Sequence, residues 1–345
     1  MTGNNNSLRR REFLGNLAAL GASAMLPGCQ TMDQAAGKPH RIDVHHHIAS
    51  PGYTAALKSL MRGHAKWSVQ ASLEDMDKSG IAASITSLIN PGMPAWTGDV
   101  PAARKIAREA NEFAATLVRD HPSRFGSFAS IPFTDIEGSF REIEYAFDVL
   151  KADGIFLITS YDGKYLGDPA FWPVLEELNR RKAVVYTHPS GPACCSRIMP
   201  YTSVNTIEGP VDTTRTMASL MFLGGAARFP DIRWIFSHSG GVAPFLLSRF
   251  RQHEKEAKDG KEKMPNGVMH ELRKFYYDTA QGNHEGALSA LLRIAPVSQV
   301  LYGTDFPFRD GAEVSGGLAN YGFSAAERRA IDRDNALRLF PGLKA

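Results

Sequence analysis

The sequence has few cysteines, no apolar run long enough for a bilayer, and no large excess of charge of one sign. It contains three cysteines, and because Cys194 and Cys195 are neighbours, no structural disulfide is expected. The apolar stretch 14–26 is too short and too rich in Gly and Ala to span about 30 Å of hydrocarbon. The formal net charge is only +3. We therefore expect a small molecule as partner, and no nucleic acid or anionic membrane surface.

The N-terminal segment 1–28 has the composition of an export signal. It contains the letters RRREFLGNLAALGASAMLPG, which resemble a twin-arginine export signal. The letters LPGC, ending at Cys29, resemble a bacterial lipobox with Cys29 as the first mature residue; the alternative is a lone cysteine beside a cleavage site. We expect an exported, periplasmic protein whose only membrane contact is an N-terminal lipid anchor.

Residues 40–345 alternate short β-branched or aromatic runs with longer stretches of helical periodicity. This alternation predicts one α/β domain, a closed (β/α)8 TIM-like barrel. The expected strands are 41–45, 83–89, 124–131, 154–158, 183–188, 232–238, 275–279 and 299–305. The expected helices are 101–120, 137–151, 168–181, 213–229, 242–257, 285–294 and 325–339. A doubly wound open sheet is less favoured, because the first strand runs into three histidines and not into a glycine-rich turn.

Two predicted connections are long for a βα unit. The first, 48–80, contains Met61, Trp67 and Met76 and is expected to form a lid or a wall of the pocket. The second is 190–210, which contains the paired cysteines.

Polar side chains fall at the expected carboxyl ends of the strands, the rim on which barrels of this type build their active sites. Side chains alternate along a strand, so His45 and His47 share one face while His46 points to the other and is expected to pack. Three further strands end in His188, His238 and Asp305. Imidazole and carboxylate ligands suit one divalent transition metal such as Zn, Mn, Fe or Co; we expect zinc, with manganese as the alternative.

These motifs resemble those of the amidohydrolase-related family that includes aminocarboxymuconate semialdehyde decarboxylase. The matching letters are HHH at 45–47, THP with His188, SHSGG with His238 and YGTDFP with Asp305. Closer similarity is to the 6-methylsalicylate decarboxylases, through RIDVHHH, DMDKSGIAASITSL, NRRKAVVYTHP, PACC and DTTRTMASL. The resemblance spans about residues 40–340 and implies metal-dependent chemistry on small carboxylated rings.

The resemblance also implies a role for each residue of the rim. It implies that the metal ligands are His45, His47, His188 and Asp305. His238 would stay off the metal as an acid, a base or an orienting group, and either His238 or Asp305 would supply a proton.

Two further residues have weaker sequence support. Asp278, in YYDTA, is a candidate partner for a ligand or simply a polar strand end. Arg249 lies eleven residues after His238, where some members of the family have an arginine that holds a substrate carboxylate in a neighbouring subunit's site. In that case the protein is a homodimer; otherwise Arg249 is an ordinary surface arginine.

We therefore expect a carboxy-lyase that releases CO2 from a hydroxybenzoate-type, 6-methylsalicylate-like acid. Hydrolysis of a lactone or related cyclic ester would use the same residues, so the sequence does not separate these two reactions. A non-catalytic tethered binding protein is the third hypothesis. It would turn over no ring carboxylate and would be indifferent to chelators.

Overall fold

The structure is a computed structural model that describes residues 40–57, 67–88, 99–191, 195 and 201–343. The predicted export segment, Cys29, Met61 and Cys194 lie outside the described residues. None of the described helices is both long and apolar enough to cross a bilayer.

Eight parallel strands form the barrel, and their order around it follows their order in the chain. The barrel strands are β1 Arg41–Ile48, β2 Ile81–Leu88, β3 Phe125–Ser130, β4 Gly154–Ile158, β7 Val184–His188, β8 Arg233–Phe236, β9 Tyr276–Asp278 and β10 Val300–Leu301, and a separate hairpin comprises β5 Ser160–Tyr161 and β6 Lys164–Tyr165. The chain after β10 pairs with β1, because Val44 N donates to Tyr302 O at 3.0 Å and Asp305 N donates to His45 O at 2.8 Å. The predicted TIM-like barrel is confirmed.

Helices follow most of the strands, as βα units require. The α-helices are Pro51–Leu57, Val69–Ser79, Val100–Asp120, Ile136–Glu144, Trp172–Arg180, Val204–Phe222, Gly225–Arg228, Leu247–Glu256, Gly260–Lys263, Val268–Lys274, Glu285–Leu291, Gly311–Asn320, Ala325–Arg329 and Asn335–Leu339. Shorter 3₁₀ turns lie at Pro169–Phe171, His238–Gly240, Ala243–Leu246 and Val297–Gln299, and π turns at Tyr145–Val149 and Ala330–Asp334.

Two predicted strands are too long. Strand β8 ends at Phe236, and His238 begins a 3₁₀ turn with a φ of 55°. Strand β10 ends at Leu301, and Asp305 has a φ of 71°. Positive φ is uncommon for residues other than glycine, and it takes both side chains out of the alternation of a strand. His238 and Asp305 therefore lie just beyond their strands.

The described parts of the long connection 48–80 contain two helices, Pro51–Leu57 and Val69–Ser79. In its second helix, Val69–Ser79, the Ser68 side chain accepts a hydrogen bond from Ala71 N, and Gly80 ends the helix in the left-handed conformation at φ 65°. Met76 is fully buried in the core, so its prediction as part of a lid or pocket wall is wrong.

The helix predicted at 213–229 begins earlier in the structure, at Val204, and contains Pro210.

Candidate metal centre

Four side chains from three parts of the barrel meet at the carboxyl rim. They are His45 and His47 on β1, His188 at the end of β7, and Asp305 after β10, and their donor atoms all lie within 4.8 Å of one another. His45 Nε2 lies 3.2 Å from His47 Nε2 and 3.1 Å from Asp305 Oδ1. Three imidazoles and one carboxylate form a donor set suited to a divalent transition metal.

The state of His188 fits such an ion. Its Nδ1 donates to the Pro189 carbonyl at 2.9 Å, so the neutral ring presents a lone pair at Nε2. This Nε2 is buried and has no hydrogen-bond partner among the described residues. Buried polar atoms are rarely left without a partner, and a metal ion shared with the other donors would satisfy this one.

The other two histidines are also held through the ring nitrogen that faces away from the centre. His45 Nδ1 donates to Asp278 Oδ2 at 2.8 Å, and His47 Nδ1 lies 3.2 Å from Ser87 Oγ. Partners of this kind fix the orientation of a metal-binding imidazole. Asp278, fully buried at the end of β9, also accepts a hydrogen bond from His238 N at 2.9 Å. It thus connects the donor set to His238.

His238 lies beside the four donors. Its Nε2 is 3.5 Å from Asp305 Oδ2, the oxygen turned away from the other ligands, and its Nδ1 is buried without a partner among the described residues. The ring stands edge-on to that of His45, with centroids 5.0 Å apart. A histidine in this place can exchange a proton with Asp305 or with a molecule bound at the rim.

Burial and charge give the donors different proton affinities. Burial opposes the charged form of His45, but the carboxylates of Asp278 and Asp305 outweigh it and raise its pKa to about 10. Burial lowers the pKa of His47 and takes that of His188 well below its ordinary value. Burial would raise the pKa of Asp305, yet the neighbouring imidazoles, His45 foremost, hold it well below the usual range. The metal-free centre thus keeps a proton on His45 and a carboxylate at Asp305.

Gln281 is a rim residue that the sequence analysis missed. Its Nε2 lies 2.5 Å from Asp305 Oδ2, and its backbone has a φ of 52°. Gln281 and His238 therefore share one oxygen of Asp305, while the other oxygen faces His45 and His47. It lies in the loop that follows β9, three residues after Asp278, and its contact with Asp305 depends on a positive φ that no sequence pattern indicates.

Asp43 was also missed, although it lies on the same strand as His45 and His47. The fully buried carboxylate accepts hydrogen bonds from His45 N at 2.9 Å, Thr304 N at 3.0 Å and Thr304 Oγ1 at 2.7 Å. It joins β1 to the residue just before Asp305. A buried aspartate between two ligand segments serves to hold them in register.

His46 points away from the centre, as the alternation of the strand predicts. Its Nε2 lies 2.9 Å from Ser72 Oγ, its Nδ1 lies 3.3 Å from Asp43 Oδ2, and its ring stacks on Phe306. The connectivity is that of a Ser-His-Asp triad, but all three residues are fully buried. This cluster therefore ties β1 to the helix Val69–Ser79 and has no opening to a substrate.

Arg249 lies apart from the centre. It is exposed on the helix Leu247–Glu256, and its side chain forms no hydrogen bond or ion pair with another described residue. The structure does not bring it into contact with the donor set of its own chain.

The barrel and its rim of three histidines and one aspartate place the protein among the metal-site (β/α)8 barrels. A model of the amidohydrolase family matches residues 42–342, and the chain belongs to this family. The chain is 37% identical to decarboxylase yanB of Aspergillus niger over 322 residues, which cover 87% of each protein.

Two further similarities agree with this assignment. The chain is 32% identical to the 6-methylsalicylic acid decarboxylase of Penicillium expansum over 315 residues, covering 88% of this chain and 97% of that protein. A crystal structure of an amidohydrolase II superposes with a TM-score of 0.81 at 26% identity, covering 87% of this chain and 99% of that one. The predicted family is confirmed.

Proposed function

We propose that the protein is a metal-dependent carboxy-lyase that removes CO2 from a small hydroxybenzoate-type acid such as 6-methylsalicylate. The observation that carries the proposal is a complete donor set at the rim of a chain that is similar along 87% of its length to proteins named as decarboxylases. Two separate relatives carry that name, one of them for 6-methylsalicylic acid.

His45, His47, His188 and Asp305 are the residues that would hold the metal. We assign zinc, with manganese as the alternative, because three neutral or ionisable imidazoles and one carboxylate suit both ions. When bound, the ion supplies positive charge that stabilises anionic oxygens of the substrate.

The chain itself must deliver a proton. In the overall reaction the bond from the ring to the carboxylate breaks, its electron pair stays on the ring carbon, and that carbon takes up one proton as CO2 leaves. His238 and Asp305 are the groups placed to hold that proton, because Nε2 of one lies 3.5 Å from Oδ2 of the other. Proton transfer from a positioned side chain accelerates such steps by roughly 10² to 10⁴.

The experiment is to supply 6-methylsalicylate labelled at its carboxyl carbon, in D2O, to protein purified without residues 1–28. We expect equal amounts of labelled CO2 and 3-methylphenol, with deuterium at the carbon that carried the carboxylate. A chelator should abolish both products and zinc should restore them. Acid release from lactones without CO2 from any hydroxybenzoate would overturn the proposal in favour of hydrolysis, and no turnover of either class would favour a binding protein.

We also propose export to the periplasm with a lipid on Cys29, and a homodimer in which Arg249 serves the partner's site. The export proposal is supported by the letters RRREFLG and LPGC. The dimer proposal is supported by the exposure of Arg249 and its lack of a partner among the described residues of its own chain.

A further inference from the structure

The buried carboxylate of Asp212 lies outside the donor set and accepts hydrogen bonds from residues that follow two of the barrel strands. Asp212 is fully buried, and its Oδ2 accepts a hydrogen bond from Thr159 Oγ1. The same oxygen lies 3.4 Å from the backbone nitrogen of Ser190. Thr159 directly follows β4, and Ser190 comes two residues after His188, the last residue of β7. Asp212 therefore contacts the backbone two residues after His188, one of the proposed metal ligands.

The connection to His188 runs through one rigid peptide unit. The nitrogen of Ser190 and the carbonyl of Pro189 belong to the same planar trans peptide, in which N–H and C=O point in opposite directions. On one side, Ser190 N donates to Thr159 Oγ1 at 3.2 Å. On the other side, the Pro189 carbonyl accepts from His188 Nδ1 at 2.9 Å. Because the peptide unit is rigid, the hydrogen bond that orients Ser190 N–H also orients the Pro189 carbonyl, which in turn holds the ring of His188.

Asp212 decides which way the Thr159 hydroxyl points. A hydroxyl has one proton to donate, and Thr159 gives it to Asp212, so its lone pairs remain for Ser190 N. Without the carboxylate, the hydroxyl could turn its proton to Ser190 Oγ, which lies 3.4 Å away, and the peptide unit would lose its oriented acceptor. The backbone of Thr159 is held as well, because its carbonyl accepts from Thr216 Oγ1 on the same helix as Asp212.

We propose that Asp212 is a positioning residue for the metal centre. Acting through Thr159 and the Pro189–Ser190 peptide, it keeps the proton of His188 on Nδ1 and directs Nε2 toward the other ligands. The unpartnered, buried state of that Nε2 within the described residues agrees with this role. The inference rests on the proposed metal centre, but it does not depend on which reaction the centre performs.

The test measures the zinc affinity of the metal-free protein, by competition with a chromogenic chelator, in two matched variants of Thr159 and in one variant of Asp212. Thr159→Val keeps the shape of the side chain and removes the hydroxyl, whereas Thr159→Ser keeps the hydroxyl. We expect Thr159→Val and Asp212→Asn to weaken zinc binding by about 10-fold or more, as loss of outer partners of metal ligands does. Thr159→Ser should stay within about two-fold of the original protein, since the hydroxyl network is intact.

Tyr165→Phe is a second control. Tyr165 OH donates to Asp212 Oδ1 at 2.8 Å, on the oxygen that does not face Ser190, so its loss should leave zinc affinity nearly unchanged. The visible spectrum of the cobalt-loaded protein gives a readout of ligand geometry that mere loss of stability would not move. It should change in Thr159→Val and not in Thr159→Ser or Tyr165→Phe, and melting of the metal-free variants checks that each is folded.

Two outcomes would overturn the inference. One is original zinc affinity and an unaltered cobalt spectrum in a folded Thr159→Val or Asp212→Asn protein. The other is an equal loss in Thr159→Ser, which would mean that the hydroxyl is not responsible. Failure of the original protein to bind zinc would overturn the metal centre and this inference together, whereas zinc binding without CO2 release would contradict only the proposed reaction.

Discussion

At the residue scale, the properties of the centre depend on the partner of the outward-facing ring nitrogen of each histidine. Nδ1 contacts the Asp278 carboxylate in His45, the Ser87 hydroxyl in His47 and the Pro189 carbonyl in His188. Their proton affinities differ accordingly, because among these three only His45 lies against two buried carboxylates, Asp278 and Asp305, which together stabilise its charged form. The three imidazoles are therefore not equivalent.

The first prediction concerns His238, which lies beside the donors. His238→Asn should leave one equivalent of zinc bound and lower kcat by roughly 10² to 10⁴, because the group that exchanges the proton is removed. Asparagine is the chosen replacement because it tolerates the φ of 55° better than most residues. Elemental analysis and steady-state kinetics test both parts. The comparison is His188→Ala, which should lose zinc; loss of zinc from His238→Asn would mean that His238 is a ligand.

The second prediction concerns pH. With its pKa raised to about 10, His45 is protonated in the metal-free protein at neutral pH and must release that proton when a metal binds. Apparent zinc affinity should therefore rise with pH between about 6 and 9, by at most about one decade per pH unit.

The stability of the metal-free protein has the opposite pH dependence. The metal-free protein is stabilised by the charged His45 fully below about pH 6.5, and it loses that stabilisation as the pH rises toward 10.

Chelator competition at several pH values tests this dependence. Asp278→Asn is the matched control, because the amide cannot support the charged ring and should flatten the dependence. A zinc affinity that does not vary with pH in the original protein would show that His45 does not release a proton when zinc binds.

The ligands could be predicted from the sequence because strand alternation and the barrel rim together place His45, His47 and His188. Gln281 and Asp212 could not. The contact of Gln281 with Asp305 depends on an unusual backbone conformation, and Asp212 lies on a helix far along the chain from Thr159. No local pattern encodes either contact.

At the scale of elements, β1 is held on both faces. Its inner face carries the ligands, while His46 on the other face bonds Ser72 of the helix Val69–Ser79. That helix was missed because its sequence lies in a connection assigned by length alone. The helix begins after the capping residue Ser68 and ends before Gly80. Serine before a helix and glycine after it are local sequence signals that predict such bounds.

The third prediction tests this link. Ser72→Ala removes the buried partner of His46 Nε2 and should lower the free energy of unfolding by about 1–3 kcal/mol. The control lies on the same helix: Ser79 Oγ is buried with no partner among the described residues, so Ser79→Ala should change the free energy by less than about 0.5 kcal/mol. Urea denaturation of both variants measures the difference. Equal losses would show that the His46–Ser72 bond contributes no specific stability.

Strand ends were the least predictable part of the elements. The sixth and eighth strands were predicted to run to His238 and Asp305, but in the structure both residues adopt positive φ beyond the strand. Hydrophobic patterning carries no information on such a turn. The rim position was nevertheless predicted correctly, because the residues follow the strands directly.

At the scale of the whole molecule, the fourth prediction concerns the proposed dimer. If Arg249 serves the partner's site, Arg249→Ala and His238→Asn should each be nearly inactive. Coexpression of the two variants should restore roughly a quarter of the original activity, since half of the two-fold dimers then contain one intact site. Size-exclusion chromatography and the CO2 assay test it. A fully active monomer, or verified mixed dimers without activity, would contradict a shared site.

Metal content and CO2 release, measured on a single sample, test whether the rim centre is the site of a metal-dependent decarboxylation. Protein lacking residues 1–28 is analysed for metal, assayed with 6-methylsalicylate, stripped with a chelator, assayed again, and reloaded with zinc or manganese. We expect one equivalent of a divalent transition metal, CO2 release that disappears with the metal, and recovery on reloading. A folded protein that binds no metal, or that releases CO2 equally well without it, would show that the rim centre is not a metal-dependent decarboxylase site.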